Sequence, residues 1–340
     1  MRPPIPPARL ALACLLARHD GGAGARREAR EVIADPDRGG AELAAGVDAA
    51  TVLEAELAAL GWRWITAAAA DFPPGLTVIS DPPLGVFVRG AVPSAPAAAI
   101  VGSRRATSYG REVAEHFGRE LSAAGVTVVS GMARGVDAAA HRGALAGGGK
   151  TVAVWGAGPD RVYPKEHDSL AEEIAAAGAL VTEYPPGSAP LPYHFPERNR
   201  LIAGLAQVVI VVEADERSGA LVTARLALDE GREVMAVPGS VFSRLSAGPN
   251  GLLRAGAAPA LAPGDVLAVL GVAPPAAAGT AEPELLAALP HGESVSVEHV
   301  AAAWHRTVAA TLEALLRCEL DGWVVREADG RYRRNAARSR

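Results

Sequence analysis

Three consecutive stretches decide the fold: FPERNRLIAG at residues 195–204, the apolar run VVIVVE at 208–213, and SGALVTA at 218–224. The middle run lacks polar alternation, which is typical of a strand buried on both faces of a parallel sheet. The flanking stretches place Asn, Arg, Ser and Gly close to predicted helix starts. Because ligands of open α/β sheets bind at the loops after the strands, these stretches predict a parallel sheet with polar groups gathered at one edge.

The same alternation extends outward from about residue 97 to residue 262. Short apolar runs predict strands at 98–101, 126–130, 151–155, 179–182, 208–212 and 233–237. Amphipathic stretches between them, such as 111–124, 168–177 and 222–230, predict helices. Strands that alternate with helices in this way define an α/β protein with a doubly wound, mostly parallel sheet.

Composition limits the function classes. The chain has 340 residues, 49% of them hydrophobic, and a net charge of −5, which argues against a generally basic nucleic-acid coat but permits a local basic groove. The two cysteines, Cys14 and Cys318, exclude a disulfide framework and favour free thiols in a reducing cytoplasm. The apolar segment 10–17 is too short to span a membrane, so we expect a soluble cytoplasmic protein.

Two loops after predicted strands carry small and basic residues. In the first, Gly102 and Ser103 allow backbone amides to approach a phosphate, and Arg104 can bind it with two hydrogen bonds; the alternative is a tight turn with solvated arginines. In the second, Gly131 permits a tight turn and Asp137 is placed to cap the next helix. Asp137 and His141 have a spacing that can hold a metal, but no third ligand is apparent, so capping is favoured and no metal site is predicted.

Three further segments bring polar groups to the same edge. Lys165 follows the strand at 151–155, Asn199 and Arg200 precede an apolar helix start, and Arg217 and Ser218 end the loop after the strand at 208–212. Together with Arg104, these cations suit a polyanion; the alternatives are an exposed lysine at 165 and an Arg200 that pairs with a neighbouring carboxylate. No nucleophile–base pair is evident, because the serines at this edge have no adjacent histidine, so the residues do not argue for catalysis or for a cofactor.

At this level of detail the chain resembles the DNA-processing protein A family (DprA, also called Smf) over roughly residues 60–262. The resemblance rests on VGSR at 101–104, SGMARGVD at 130–137, YP at 163–164, HFPERNR at 194–200, RSGA at 217–220, GRE at 231–233, VPGS at 237–240 and, loosely, GPNGLL at 248–253.

The resemblance implies a Rossmann-like domain that binds single-stranded DNA without catalysis, protects DNA taken up in natural transformation, and loads the RecA recombinase. It implies a homodimer and a basic DNA-binding pocket formed by Ser103, Arg104 and Lys165, with Gly131, Asn199 and Arg200 as pocket or scaffold. Because only 4% of the residues are aromatic and few lie near these loops, stacking is expected to contribute less than electrostatics.

Five segments are expected along the chain. They are an N-terminal helical, SAM-like domain at 1–62, the extended Rossmann-like domain at 63–262, a linker at 263–283, a winged-helix-like domain at 284–334 and a tail at 335–340. The third unit is predicted from three helices followed by a hairpin signal at Ala328-Asp329-Gly330. Residues 331–340 hold five arginines and no acid, and the sequence does not assign them a role.

Two alternatives remain at this point. One is a nucleotide-handling enzyme related to the lysine-decarboxylase-like phosphoribohydrolases; Thr223 fits that group, but Ala224 and Arg225 stand where its catalytic glutamate is expected. The other is a transcription regulator that acts through the winged helix. Its predicted third helix, at 307–320, carries Arg317 but few other groups that read bases, so contact with a protein is favoured over contact with duplex DNA.

Overall fold

The computed structural model describes residues 31, 40–94, 96–273, 284–290, 293–320, 323–327 and 329–335. They form two compact units, divided between Pro274 and Pro275. The first predicted N-terminal helix, with Cys14, and the C-terminal tail lie outside the described residues, apart from Asn335. None of the helices in the described part of the chain combines the length and apolar character that a membrane span requires.

The first unit contains eight helices and nine strands among its described residues. The helices are α1 (Gly40–Ala59), α2 (Ser108–Ala123), α3 (Val136–Ala146), α4 (Asp168–Ala177), α5 (His194–Leu205), α6 (Gly219–Asp229), α7 (Ala247–Arg254) and α8 (Pro263–Leu270). The strands are β1 (Trp62–Thr66), β2 (Gly85–Gly90), β3 (Ala97–Val101), β4 (Thr127–Ser130), β5 (Thr151–Trp155), β6 (Ala179–Thr182), β7 (Val208–Val211), β8 (Glu233–Ala236) and β9 (Ala258–Pro259).

The nine strands form one sheet in the order β1-β2-β6-β5-β4-β3-β7-β8-β9. All pairings from β6 to β9 are parallel, whereas β1 and β2 join antiparallel at one end. The prediction of a doubly wound, mostly parallel sheet is confirmed. The chain moves outward in one direction from β3 through β6 and in the other from β7, so the loops after β3 and β7 diverge and leave a crevice between them.

Both faces of the sheet are covered, which explains the unbroken apolar character of its strands. In β3, Ala98 and Ile100 face one side, and Ala99 and Val101 face the other. Helices α2, α3 and α8 supply core residues on the first side, and α5 and α6 on the second. With so few aromatics, closely packed small residues form much of this core.

Two local predictions need correction, and one strand was not predicted. Residues 263–270, predicted as the start of a linker, form helix α8, and its Val266 and Leu267 are buried against the sheet. The predicted helical region to residue 62 ends earlier: α1 stops at Ala59, Gly61 adopts a positive φ of 76°, and Trp62 begins β1. The short strand β9 was not predicted, because a two-residue strand has no periodicity to detect.

The second unit contains α9 (Glu284–Ala287), α10 (Val297–Trp304), α11 (Val308–Leu320), and an antiparallel pair of strands, β10 (Val324–Arg326) and β11 (Tyr332–Arg334). Its core includes Leu285, Leu289, Val300, Leu315 and Tyr332. The order of three helices and a hairpin agrees with the prediction, and the winged-helix assignment itself stays a prediction.

Helices α2 and α3 approach each other through two glycines. A Cβ at Gly143 would lie 2.1 Å from the carbonyl oxygen of Glu115, and one at Gly118 would lie 2.4 Å from that of Ala140. Because backbone atoms cannot move aside independently, the two helices cross this closely only without side chains at both positions.

We expect Gly143→Ala to lower the free energy of unfolding by roughly 1–3 kcal/mol, since its methyl group would force the helices apart. Gly251→Ala in α7 is the matched control: a Cβ there meets nothing within 4 Å, and we expect no loss, or a gain of about 0.5–1 kcal/mol. Chemical denaturation of both variants checks this, and equal stability of the two would contradict the packing argument.

Candidate nucleic-acid interface

A cavity of about 830 Å³ opens at the carboxyl edge of the sheet, where the loops after β3 and β7 diverge. Five arginines and two aspartates are among its lining residues, so it carries a positive formal charge in a chain whose net charge is −5. The charged lining residues are Arg104, Arg105, Arg198, Arg217, Arg244, Asp137 and Asp215. This edge is where the fold gathers polar groups from separate loops.

The loop after β3 contributes Gly102, Ser103 and Arg104 to the cavity, as predicted. A Cβ at Gly102 would lie 2.5 Å from Cγ2 of Val136, so only glycine allows this close contact with α3. The Arg104 guanidinium lies over the Phe195 ring, with Cζ 4.7 Å from the ring centroid. This cation–π contact holds the guanidinium at the cavity.

A buried carboxylate fixes this loop from beneath. Glu213 follows β7 and is 2% exposed; its carboxylate accepts hydrogen bonds from the backbone N–H of Thr107 at 2.8 Å and from the Thr107 hydroxyl at 2.6 Å. Its carbonyl accepts from the N–H of Ser103 at 2.6 Å. A Cβ at Gly110 would lie 2.3 Å from Oε2 of Glu213. Because this carboxylate already faces the amino end of α2, the arginines of the loop, rather than the helix end, supply the positive charge.

Arg198 forms the floor of the cavity and is 4% exposed. It donates hydrogen bonds to the carbonyl of Gly131, at 2.9 Å, and to that of Val154. A Cβ at Gly131 would lie 2.7 Å from its Nη2. Gly131 is not among the residues that line the cavity. Its lack of a side chain leaves room for the Arg198 guanidinium.

Asp137 holds the loop after β4 rather than capping the helix. Its Oδ2 accepts hydrogen bonds from the N–H groups of Gly131 at 3.2 Å and Ala133 at 3.3 Å. The N-cap position of α3 belongs to Gly135, which has a positive φ of 78°. The prediction that Asp137 caps α3 was therefore wrong, because its carboxylate accepts hydrogen bonds from loop amides that precede the helix.

Burial and charge set the ionisation beneath the cavity. Desolvation raises the pKa of Asp137 to about 6, and the Arg198 charge opposes that rise. Desolvation lowers the pKa of Arg198 to about 10, opposed by the charge of Asp137, so the guanidinium is positive at neutral pH. Burial also lowers the pKa of His141 to about 3, and its Nδ1 lies 2.7 Å from Oγ1 of Thr151. The Asp137–His141 spacing thus serves packing, and among the described residues no group of three His, Cys, Asp or Glu side chains could hold a metal.

The loop after β7 and the start of α6 form the opposite wall. Ser218 is the N-cap of α6, and its Oγ accepts a hydrogen bond from the N–H of Ala220 at 3.3 Å. Asn199 lies behind this turn and donates from Nδ2 to the carbonyl of Gly219 at 3.3 Å. Arg217 is exposed beside it. Arg217, Ser218 and Asn199 all line the cavity, as expected from the sequence.

Besides Gly131, two predicted residues lie outside the cavity lining. Arg200 is not in the cavity lining: its side chain is 9% exposed, pairs through Nη2 with both oxygens of Glu183 at 2.7 and 2.6 Å, and donates from Nε to Asp81 at 3.2 Å. It ties α5 to β6 and to the segment before β2, which is a scaffold role. Lys165 opens a short 3₁₀ turn, is exposed, and also lies outside the lining.

The sequence analysis missed Phe195 and Arg198 as cavity residues. The rings of Phe195 and Tyr163 both line the cavity, with their centroids 5.4 Å apart. A signal was available: Phe195, Arg198 and Asn199 recur at helical spacing and share one face of α5, and Arg200 falls on another. Applying that spacing to 195–204 would have chosen Arg198 over Arg200 as the cavity cation.

A doubly wound α/β domain with a basic cavity at its switch point belongs to the class of open-sheet proteins whose ligand sites lie outside the carboxyl ends of the strands. The family model described as DNA recombination-mediator protein A matches residues 63–271, and the chain belongs to that family.

Protein Smf of Escherichia coli strain K12 is 38% identical over 281 residues, which cover 77% of this chain and 75% of that protein. The X-ray structure of DNA processing protein A from Streptococcus pneumoniae aligns with a TM-score of 0.63 at 34% identity, over 78% of this chain and 98% of that chain. A structure of DNA processing protein A from Helicobacter pylori, whose subject is its single-stranded DNA binding mode, aligns with a TM-score of 0.55 at 30% identity, over 61% of this chain and 95% of that chain.

The raised pKa of Asp137 predicts a pH-dependent stability. The pKa of this carboxyl group rises from 3.8 to about 6 on folding. Its contribution to the free energy of unfolding is therefore fully present below pH 4 and is lost as pH rises through about 6. Asn at this position keeps an oxygen acceptor for the two loop amides but cannot ionise. We therefore expect the free energy of unfolding of Asp137→Asn, relative to the native protein, to increase by up to roughly 3 kcal/mol between pH 4 and pH 6.5.

Urea denaturation of both proteins across that pH range measures this difference. The contributions of groups that titrate alike in both proteins cancel when the two free energies are subtracted. A difference that does not change with pH would show that the Asp137 carboxyl titrates in the fold as it does in the unfolded chain.

Proposed function

We propose that this protein binds single-stranded DNA in the arginine-lined cavity. The observation that carries the proposal is the pairing of Arg104 with Phe195 above the buried Arg198. This arrangement offers cations for phosphates, and the exposed Tyr163 ring beside Phe195 offers an aromatic surface for a base within the same site. Single-strand binding requires this combination. The single-stranded DNA binding mode of the Helicobacter pylori relative supports the same ligand class.

The proposal gives the predicted site residues different roles. Arg104 and Arg217 are exposed and contact phosphates, and Ser103 and Ser218 supply hydroxyls beside them. Gly102 permits the close turn, while Gly131, Asn199 and Arg200 maintain the scaffold through the contacts described above. Lys165 acts from outside the cavity, as a cation that a longer strand reaches.

Binding of this kind depends on charge more than on sequence. Each phosphate contact made by an arginine releases counterions, so affinity falls steeply as salt concentration rises. A single strand exposes bases that can stack on Phe195 and Tyr163, whereas a duplex keeps its bases stacked internally. The proposal therefore requires a preference for single strands as well as a dependence on salt.

Replacing Arg104 with alanine should weaken binding to oligo-dT by about tenfold at low salt, equivalent to one charged hydrogen bond of roughly 1.5 kcal/mol. It should also reduce the slope of log affinity against log salt by about 0.7. Lys150→Ala is the matched control, because Lys150 is exposed and immediately precedes β5, at the opposite edge of the sheet. Fluorescence anisotropy with labelled oligo-dT and a matched duplex, over a salt series, measures both effects.

Equal losses in the two folded variants would show that binding reflects general surface charge and would refute the cavity assignment. Absence of single-strand binding by the native protein at low salt would refute the function itself.

We further propose, from the family resemblance, that the protein acts as a homodimer in the cytoplasm, protects incoming DNA and loads RecA during natural transformation and homologous recombination. The relevant assay is RecA filament formation on single-stranded DNA coated with single-strand binding protein. Addition of this protein is expected to shorten the lag before filaments form, and an unchanged lag would contradict a loading role.

A non-catalytic role is proposed over the phosphoribohydrolase alternative. The position at which that enzyme class would need its glutamate is Ala224, which is fully buried. The cavity carboxylates Asp137 and Asp215 are engaged, one with loop amides and the other with Arg244 at 2.6 Å. Release of base from a nucleoside monophosphate by the purified protein would overturn this assignment.

A further inference from the structure

A turn beside the cavity presents two apolar side chains to solvent. The N–H of Ser243 donates to the carbonyl of Ser240 at 3.0 Å, which places Val241 and Phe242 at the centre of a β-turn. Val241 is 83% exposed and Phe242 is 97% exposed. Isolated exposed apolar residues are common on protein surfaces, so their surroundings decide whether they have a role.

The turn is anchored on its amino-terminal side. The side-chain amide of Asn250 accepts a hydrogen bond from the N–H of Gly239 at 3.2 Å and donates one to its carbonyl at 3.0 Å. A Cβ at Gly239 would lie 2.2 Å from Oγ of Ser246, so the backbone packs directly against that buried serine.

The carboxyl-terminal side is held as well. The carbonyl of Leu245 accepts a hydrogen bond from the N–H of Ala214 at 2.7 Å, and Nε of Arg244 pairs with Asp215 at 2.6 Å. With both ends fixed, Phe242 is presented by a constrained turn, and little conformational entropy is lost when a ligand covers it.

This turn is continuous with the cavity. Arg244 and Leu245, two and three residues after Phe242, line the cavity. Chain geometry keeps the Cα atoms of Phe242 and Arg244 within about 7 Å. Arg217 and Arg244 also line an adjoining recess of about 400 Å³, together with Asp215 and Glu216. A strand that leaves the cavity on this side therefore passes two arginines before it reaches the turn.

We propose that Phe242 is a second stacking platform, on which a base of the single strand lies after the strand leaves the cavity past Arg217 and Arg244. This inference rests on the proposed function. An aromatic side chain that alternates with cations fits a polynucleotide, whose bases alternate with phosphates. Arg244 exchanges Asp215 for a phosphate oxygen when the strand binds.

A protein partner fits this surface less well. Stable protein interfaces bury about 1,200–2,000 Å² around an apolar centre, and the turn offers only two large apolar side chains among serines and charged groups. The nucleic-acid strand is therefore the occupant that the surroundings of Phe242 favour.

The test compares Phe242→Ala with Val241→Ala, its exposed neighbour on the same turn. We expect Phe242→Ala to weaken binding of a long oligo-dT by about fivefold or more, the effect of one lost base stack. Val241→Ala should bind as the native protein does, and Phe242→Trp should restore affinity. The loss in Phe242→Ala should disappear with an oligonucleotide of the same length made of abasic sugar phosphates, because no base is present to stack.

Three results would overturn the proposal. The first is an unchanged affinity of Phe242→Ala for long oligo-dT, and the second is a loss of affinity for the abasic strand as large as the loss for oligo-dT. The third is a change in the sedimentation coefficient of Phe242→Ala without DNA, which would identify the turn as a contact between copies of the chain. Each differs from failure of the proposed function, in which the native protein itself does not bind the strand, or Arg104→Ala binds as well as Lys150→Ala does.

Discussion

The buried guanidinium of Arg198 is the interaction on which the site depends. It joins the carbonyl groups at the ends of β4 and β5 to helix α5, through hydrogen bonds to Gly131 and Val154. Removing a cation from water is costly unless it is hydrogen-bonded and partly neutralised. The two carbonyls and the nearby charge of Asp137 compensate for part of that cost. The result is a positive floor beneath the cavity that is already in place before any ligand arrives.

Glu213 has the complementary role on the other side of the switch point. Its carboxylate and carbonyl hold the loop after β3 against the end of β7 through Ser103 and Thr107. Glycine at 102 and at 110 leaves space for this contact. One buried anion and one buried cation thus position the two loops that form the crevice, while exposed arginines remain available to a ligand. The buried charged residues therefore build the cavity, and the exposed arginines are the residues that contact a ligand.

The sequence predicted the sheet well because its strands are buried on both faces and therefore read as unbroken apolar runs. It also placed Ser103, Arg104, Arg217 and Ser218 at the correct edge, since the loops after parallel strands converge there. It left Arg200 open between pocket and scaffold, because a cation near a helix start was read by its position along the chain rather than by the face of the helix it occupies. The ion pairs with Glu183 and Asp81 join distant segments and leave no local pattern to detect.

The most direct test of the central claim is to identify the residues that a bound strand contacts. A single-stranded oligonucleotide that contains 4-thiothymine can be photo-crosslinked to the native protein, and the modified residues identified by mass spectrometry. The account predicts crosslinks at Phe195 and Tyr163, the aromatic residues of the cavity. Crosslinks confined to the C-terminal unit, with none at the cavity, would contradict it.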